Sequence, residues 1–154
     1  MDALCLCDWT YRRMRKTVDQ RLQQFLNAPM IEGKHPLIDQ TITQLQEYFN
    51  GDRIKFELPL LLCGSPFQKS VWNGLLKVPY GTTSTYSELT NSLGDPKAIR
   101  AVASANGANS IAIIIPCHRI IGVQGDLVGY AGGLQAKKQL LLIEEALPQL
   151  DLFT

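Results

Sequence analysis

The sequence predicts a mixed α/β protein in two lobes. Residues 1–62 form a small N-terminal α/β lobe, and residues 63–154 form a mainly helical C-terminal lobe with a helix-turn-helix. Three observations predict this. Ile38, Ile42, Leu45 and Phe49 recur at intervals of four, three and four, the period of an amphipathic helix. Cys63-Gly64-Ser65-Pro66 interrupts the chain after a strand-like run, and beyond it the apolar residues keep helical spacing. Two of those later helical patterns are joined through Gly94-Asp95-Pro96, the short glycine-bearing connection of a helix-turn-helix.

Taken in order, residues 3–9 read as a short strand and residues 18–26 as a helix with Leu22, Phe25 and Leu26 on one side, stopped by Asn27-Ala28-Pro29. The helix through Phe49 is stopped by Gly51, and residues 54–62 are strand-like. Ser65 suits an N-cap and Pro66 the first helical position of a helix marked by Phe67, Val71, Trp72, Leu75 and Leu76. Ser84 or Thr85 caps a short helix through Leu93, and Asp95-Pro96 opens another over residues 97–106. Residues 111–115 then predict a buried strand, continued by Ile120 and Ile121, before a glycine-rich turn and a last helix over residues 134–147.

A chain of 154 residues with 45% hydrophobic and 19% charged composition can bury a core without help. It has no run of eighteen apolar residues and no secretory leader, so a soluble, cytoplasmic protein is expected. Cys5, Cys7, Cys63 and Cys117 do not make the disulfide framework of a small secreted domain and are expected to be reduced. The net charge of +1 announces no nucleic-acid partner. Locally, Lys97, Arg100, Arg119, Lys137 and Lys138 against the single acid Asp126 give their segment a net +4, and Arg12, Arg13, Arg15 and Lys16 form a second cluster. Either cluster alone reads as a solvated face. On the helix after Pro96, Ala98, Ala101, Ala103 and Ala105 are small and Arg100 stands among them. Such a surface serves close approach to a partner and tight helix packing equally well.

The stretch "IIIPCHRIIG" carries the chemistry. A proline and three polar or reactive side chains interrupt what is otherwise core. A cysteine becomes a nucleophile when it ionises, and nearby positive charge, donors or a base favour that, for which His118 and Arg119 are both candidates. Successive strand residues face opposite ways, so Pro116 must turn the backbone, or a water must bridge, for Cys117 to work with His118. A histidine base needs a group to orient it. Asp126, Glu144 and Glu145 are the nearest downstream acids, and Glu144 in "LLLIEEA" is favoured as a carboxylate in an apolar helix. Beside the imidazole it would favour the protonated ring and so the thiolate. One at a time, Cys117 reads as a buried structural thiol and His118 as a satisfied core histidine; their conjunction in a strand break points to chemistry.

Four ordered blocks, "GSPFQKSVW", "VPYGTTSTYSEL", "RAVASANGAN" and "PCHR" with "GYAGG" downstream, resemble the O6-alkylguanine-DNA alkyltransferases, direct-reversal repair proteins, from Gly64 to the last helix. The resemblance implies irreversible, single-turnover transfer of an alkyl group from guanine O6, and by extension thymine O4, to Cys117. It implies that His118 takes the thiol proton through water, that Glu144 orients His118, and that Tyr86 helps rotate the nucleotide and donates a proton to guanine. It implies that Asn109 ties the recognition helix to the active-site turn and that Tyr130 and Ala131 belong to the pocket wall. Arg100 would fill the gap left by the extruded base, with Lys97, Ala98, Ala101 and Ala103 on the helix laid in the minor groove. The implied partner is duplex DNA containing O6-alkylguanine, bound by a monomer away from any membrane. Ser110 replaces a usual proline and Gln139 a common tryptophan. Some relatives bind zinc, but Cys5, Cys7 and His35 are too few for four tetrahedral ligands, so neither metal nor cofactor is expected. Two rival readings are a non-catalytic sensor of alkylated DNA, against which Cys117 argues directly, and a thiol hydrolase, which a Cys-His-acid set would equally serve.

Overall fold

The computed structural model describes residues 2–147. Its elements are α1 (Arg15–Leu26), α2 (Pro36–Phe49), α3 (Pro66–Leu76), β1 (Ser84–Thr85), α4 (Tyr86–Ser92), a 3-10 turn (Pro96–Ala98) leading into α5 (Ile99–Gly107), a second 3-10 turn (Cys117–Arg119), β2 (Ile120–Ile121) and α6 (Leu134–Ile143). The fold is thus mixed, largely helical, with one two-stranded parallel sheet in which Ser84 pairs with Ile120 and Thr85 with Ile121. The end of the expected C-terminal lobe, residues 148–154, lies outside the described residues.

Helix α3 is set by its N-terminus. Ser65 Oγ accepts from the Gln68 amide at 3.1 Å, and Gln68 Oε1 accepts from the Ser65 amide at 2.9 Å, with Pro66 at the first helical position. This fixes the face carrying Val71, Trp72 and Leu75, all buried, and the Trp72 indole donates to the Ala105 carbonyl on α5 at 2.9 Å. Leu89 from α4, Val102 from α5, and Ile111, Ile115, Cys117 and Ile120 complete this core. Of the two candidate caps, Thr85 serves α4, its hydroxyl accepting from the Glu88 amide at 3.1 Å.

The N-terminal strands expected over residues 3–9 and 54–62 do not form. Single parallel bridges replace them, Leu4 to Leu60 and Cys7 to Ile111. The first segment therefore runs between two partners, with the Leu4 amide on the Pro59 carbonyl at 2.8 Å and the Cys7 amide on the Ser110 carbonyl at 2.9 Å. Ser110, where a proline was noted as usual, also donates its hydroxyl to the Cys5 carbonyl at 2.9 Å. Residues 111–115 are not a strand either. They form a buried turn in which the Ile115 amide donates to the Ile111 carbonyl at 3.0 Å and Ile113 has φ 71°. A β-branched residue in that region costs on the order of 1–3 kcal/mol. Burial of residues 111–120 on every side holds it there.

Helix α2 is rotated about a quarter turn from the face its apolar period marks, so that of that stripe Leu45 packs against the core. Thr41, Gln44 and Tyr48 point inward, while Ile38, Ile42 and Phe49 are 45%, 48% and 46% exposed. The inward polar groups have partners: the Gln44 amide brackets the Glu57 backbone at 2.9 and 3.1 Å, and Tyr48 reaches Glu144. Helix α6 ends at Ile143, four residues before the expected end, so Glu144 sits at its C-cap rather than inside the helix.

Candidate active site

Cys117 opens the 3-10 turn that leads into β2, and Pro116, at φ −82° and ψ 61°, bends the chain there. Cys117 and His118 are 5% and 0% exposed and face different partners. Asn109, just beyond the end of α5, donates its amide to Cys117 Sγ at 3.3 Å and to the Ile115 carbonyl at 2.9 Å, while its Oδ1 accepts from the Ile111 amide at 3.0 Å. One side chain thereby joins the end of α5 to the turn holding the thiol. His118 Nε2 lies 2.7 Å from Glu144 Oε2, whereas its Nδ1 is buried with no protein partner.

Glu144 is the hub of the buried network. Besides His118, it accepts from Tyr48 Oη at 2.5 Å, from Arg119 Nε at 2.7 Å and from Arg119 Nη2 at 3.2 Å. Arg119 Nη1 donates to the Val78 carbonyl at 2.7 Å. Of the three acids near in sequence, Glu144 contacts His118, while Asp126 and Glu145 are exposed.

These contacts set the charges. Burial pushes the Glu144 carboxyl up, but the bonds from His118, Arg119 and Tyr48 outweigh it and hold the group down at about 2. Burial pulls His118 below the usual imidazole range despite the opposing bond and charge of Glu144. Burial likewise raises the Cys117 thiol, opposed first by the Asn109 bond and then by the charges of Lys137 and Arg12. The resting site at neutral pH is therefore a thiol, a neutral imidazole and a carboxylate. Glu144 does favour the protonated ring, as expected, but with His118 fully buried desolvation outweighs it.

A cavity of about 640 Å³ opens over Cys117, within the size range of small-molecule sites. Tyr86, the first residue of α4, and Ala103 and Asn106 of α5 line one side, and Tyr130 and Ala131 another. Asn106 Nδ2 donates to Tyr86 Oη at 3.3 Å. Burial raises the Tyr86 phenol, so it keeps its proton. The Trp9 indole donates to Tyr130 Oη at 3.1 Å and lies so close to Gly132 that a Cβ there would meet its Nε1 at 2.6 Å.

Residues 66–146 match the family model of the 6-O-methylguanine DNA methyltransferase DNA binding domain. The chain belongs to the 6-O-methylguanine DNA methyltransferase family. Cys117, His118, Glu144, Asn109, Tyr86, Tyr130 and Arg100 all fall within the matched stretch. A methylated-DNA–protein-cysteine methyltransferase of Mycobacterium leprae is 48% identical over 116 residues, covering 74% of this chain and 70% of the relative. One of Methanosarcina acetivorans is 54% identical over 101 residues, covering 66% of this chain and 65% of the relative, just under two thirds of its length. The crystal structure of Mycobacterium tuberculosis OGT in complex with DNA superposes with a TM-score of 0.67 at 48% identity, covering 70% of this chain and 65% of that one.

On this methyltransferase chain, Lys97, Arg100 and Ala101 are exposed, Ala103 lines the cavity, and Ala98 packs partly against the core. The alanines therefore do not share one surface: Ala98 turns inward and Ala105, carrying the Trp72 bond, is buried. The roles of four residues of the site went unread in the sequence. Tyr48 lies 96 residues from Glu144 and off the apolar period of its helix. Arg119 was a candidate partner of the thiol and pairs with Glu144 instead, and Lys137 was counted only as charge, yet Lys137 is fully buried. It donates to the Ile120, Val128 and Gly129 carbonyls, the last two at 2.7 and 3.2 Å. Burial pulls Lys137 down to about 8. Arg12 belonged to the second basic cluster and here lines the cavity.

Proposed function

We propose that this methyltransferase repairs DNA by direct reversal, taking a methyl or larger alkyl group from O6 of guanine, and from O4 of thymine, onto Cys117. The observation that carries the reading is Cys117 on the wall of a cavity, held by Asn109 and followed by a buried His118–Glu144 pair. In the reaction the Cys117 proton passes through a water to His118 Nδ1, and the carboxylate of Glu144 stabilises the imidazolium that results. The sulfur lone pair forms an S–C bond as the C–O bond breaks. The electron pair of that bond remains on guanine, and the Tyr86 phenol supplies the proton that makes guanine a tolerable leaving group. The product thioether offers only a saturated carbon, so each chain acts once.

A base must leave the duplex stack to reach this site. On this reading α4, the turn through Pro96 and α5 act as a helix-turn-helix, α5 lies in the minor groove with Lys97, Ala101 and Ala103 toward DNA, and Arg100 fills the gap left by the flipped base. The division into residues 1–62 and 63–154 then separates a supporting lobe from one that holds both acceptor and DNA surface. The chain works as a monomer in the cytoplasm. Among the described residues no helix is long and apolar enough to cross a membrane.

Thiol counting tests this against the hydrolase and sensor readings. Methylated duplex should consume one thiol irreversibly; a hydrolase would regain it each cycle, and a sensor would lose none.

A further inference from the structure

The N-terminal segment does more than cover the core, because three of its residues bond two walls of the acceptor cavity, the turn through Tyr130 and Gly132 and the end of α5. Trp9 holds Tyr130, Tyr11 Oη donates to the Gly132 carbonyl at 2.9 Å, and Arg12 reaches the end of α5. Arg12 is the most constrained of the three. Its side chain is 8% exposed and pairs at 3.1 Å with Asp8, whose side chain is 0% exposed. Its Nη1 donates to the Asn109 carbonyl at 2.8 Å and its Nη2 to the Gly107 carbonyl at 2.6 Å. A charged fork spanning two carbonyls just past the last turn of a helix is a favourable placement, since those carbonyls lack helical partners and the helix dipole is negative there.

We propose that Arg12, fixed by Asp8, is a positioning residue for alkyl transfer: it locks the backbone of Gly107 and Asn109 so that the Asn109 amide stays on Cys117 Sγ. The inference rests on the proposed alkyl-acceptor reading. Cys5 and Cys7 bond Ser110, and Arg21 bonds Ala108, but among the described bonds Arg12 makes the one that reaches Asn109 itself. Its charge acts in the same sense, adding to Asn109 and Lys137 against the burial that raises Cys117. The groups around the thiol are His118 on its own turn, Lys137 from α6, Tyr130 from the pocket turn, Tyr86 from α4 and Asn109. Around Arg12 they are Asp8 and Arg21. Loss of Arg12 therefore leaves the thiol with a looser donor and one fewer cation.

The test uses the full chain with a labelled O6-methylguanine duplex and, separately, iodoacetamide, each as a function of pH. Wild-type transfer of label to Cys117 is scored first, because its absence overturns the acceptor reading and not merely the role of Arg12. Arg12→Gln should slow single-turnover transfer by between about tenfold and a hundredfold, the usual cost of a small misplacement. It should also move the midpoint of Cys117 alkylation by iodoacetamide to higher pH. Arg12→Lys keeps the charge but cannot span both carbonyls, so it should remain slow, with a midpoint moved less than that of Arg12→Gln. Wild-type rate in either variant overturns the proposal, as does a slower Arg12→Gln with an unmoved midpoint, which would make Arg12 a purely structural residue. Should Arg12→Gln fail to fold, the Arg12→Lys rate decides alone.

Discussion

Replacing Glu144 by Gln keeps the shape of the hub and removes its charge. The carboxylate accepts four bonds, from His118, Tyr48 and two nitrogens of Arg119. A carboxamide offers one acceptor oxygen and turns a donor toward at least one of those donors, while Arg119, at 8% exposure, keeps a charge with no counter-ion. Breaking a buried pair by removing one partner costs about 3–5 kcal/mol. For a domain of this size that is a drop in Tm of roughly 10 °C, which leaves the chain folded at low temperature if its starting stability is ordinary. The chemical effect is separate. Without the carboxylate, the imidazolium formed when His118 takes the thiol proton loses its stabilising partner. Transfer should slow by between about a hundredfold and ten-thousandfold, the range of general acid–base catalysis. Duplex affinity should hold, because Glu144 is buried away from any DNA surface. The assay is single-turnover methyl transfer from an O6-methylguanine duplex at a temperature where a melting curve shows the variant folded, with duplex binding followed by anisotropy. Transfer at the wild-type rate by a folded Glu144→Gln, with an Asp126 variant inactive, would refute the reasoning.

Replacing Arg100 by Ala should weaken repair in duplex far more than reaction with free alkylated base, since only the duplex needs a filler for the vacated stack; equal losses would sink the finger role. Duplex affinity should fall as salt rises, because the binding face must neutralise phosphates, and a flat response would make the basic segment around Arg100 merely solvated. Folding stability should fall with pH in two stages. His118 is held below its ordinary range, so the unfolded chain binds the extra proton and stability drops as pH falls through about 6.5. Glu144, held at about 2, contributes stability that is complete above the ordinary carboxylate range and is lost as pH falls toward 2, worth on the order of 3 kcal/mol. Urea unfolding at pH 7, 5 and 3 checks this, and a Glu144→Gln variant with the same acid slope as wild type would contradict it.

What could be read from the sequence was whatever local chemistry decides. Ser65-Pro66 with Gln68 dictates the start of α3 by hydrogen bonds within four residues, and Asp95 and Thr85 cap their elements the same way. The Cys117-His118 break could be read because reactive side chains inside a hydrocarbon run have few other uses. What could not be read depended on distant partners. The apolar period of α2 points to Ile42 and Phe49, but Tyr48 is drawn inward by Glu144, and no local signal announces a partner 96 residues away. The run through Ile113 is as apolar as a buried strand, and periodicity alone cannot separate that from a buried turn. Residues 3–9 and 54–62 have strand-like composition, yet the first makes single bridges to two partners and the second a single bridge to the first. Arg12 and Lys137 are indistinguishable in sequence from solvated cations; only the carbonyls of Gly107 and Asn109, and of Ile120, Val128 and Gly129, give them work.

The central claim is that Cys117 is an acceptor consumed by its own reaction, and the most direct measurement mixes the protein with excess duplex labelled in the O6-methyl group. The label bound to protein should rise to one methyl per chain and stop, and peptide mapping should place it on Cys117. Cys7 and Cys63, lifted by burial to about 11, and Cys5 should stay unlabelled, because of the four cysteines Cys117 is the one that lines the cavity. Label released to solution with continued turnover, or a methyl found on Cys5, Cys7 or Cys63, would contradict the account.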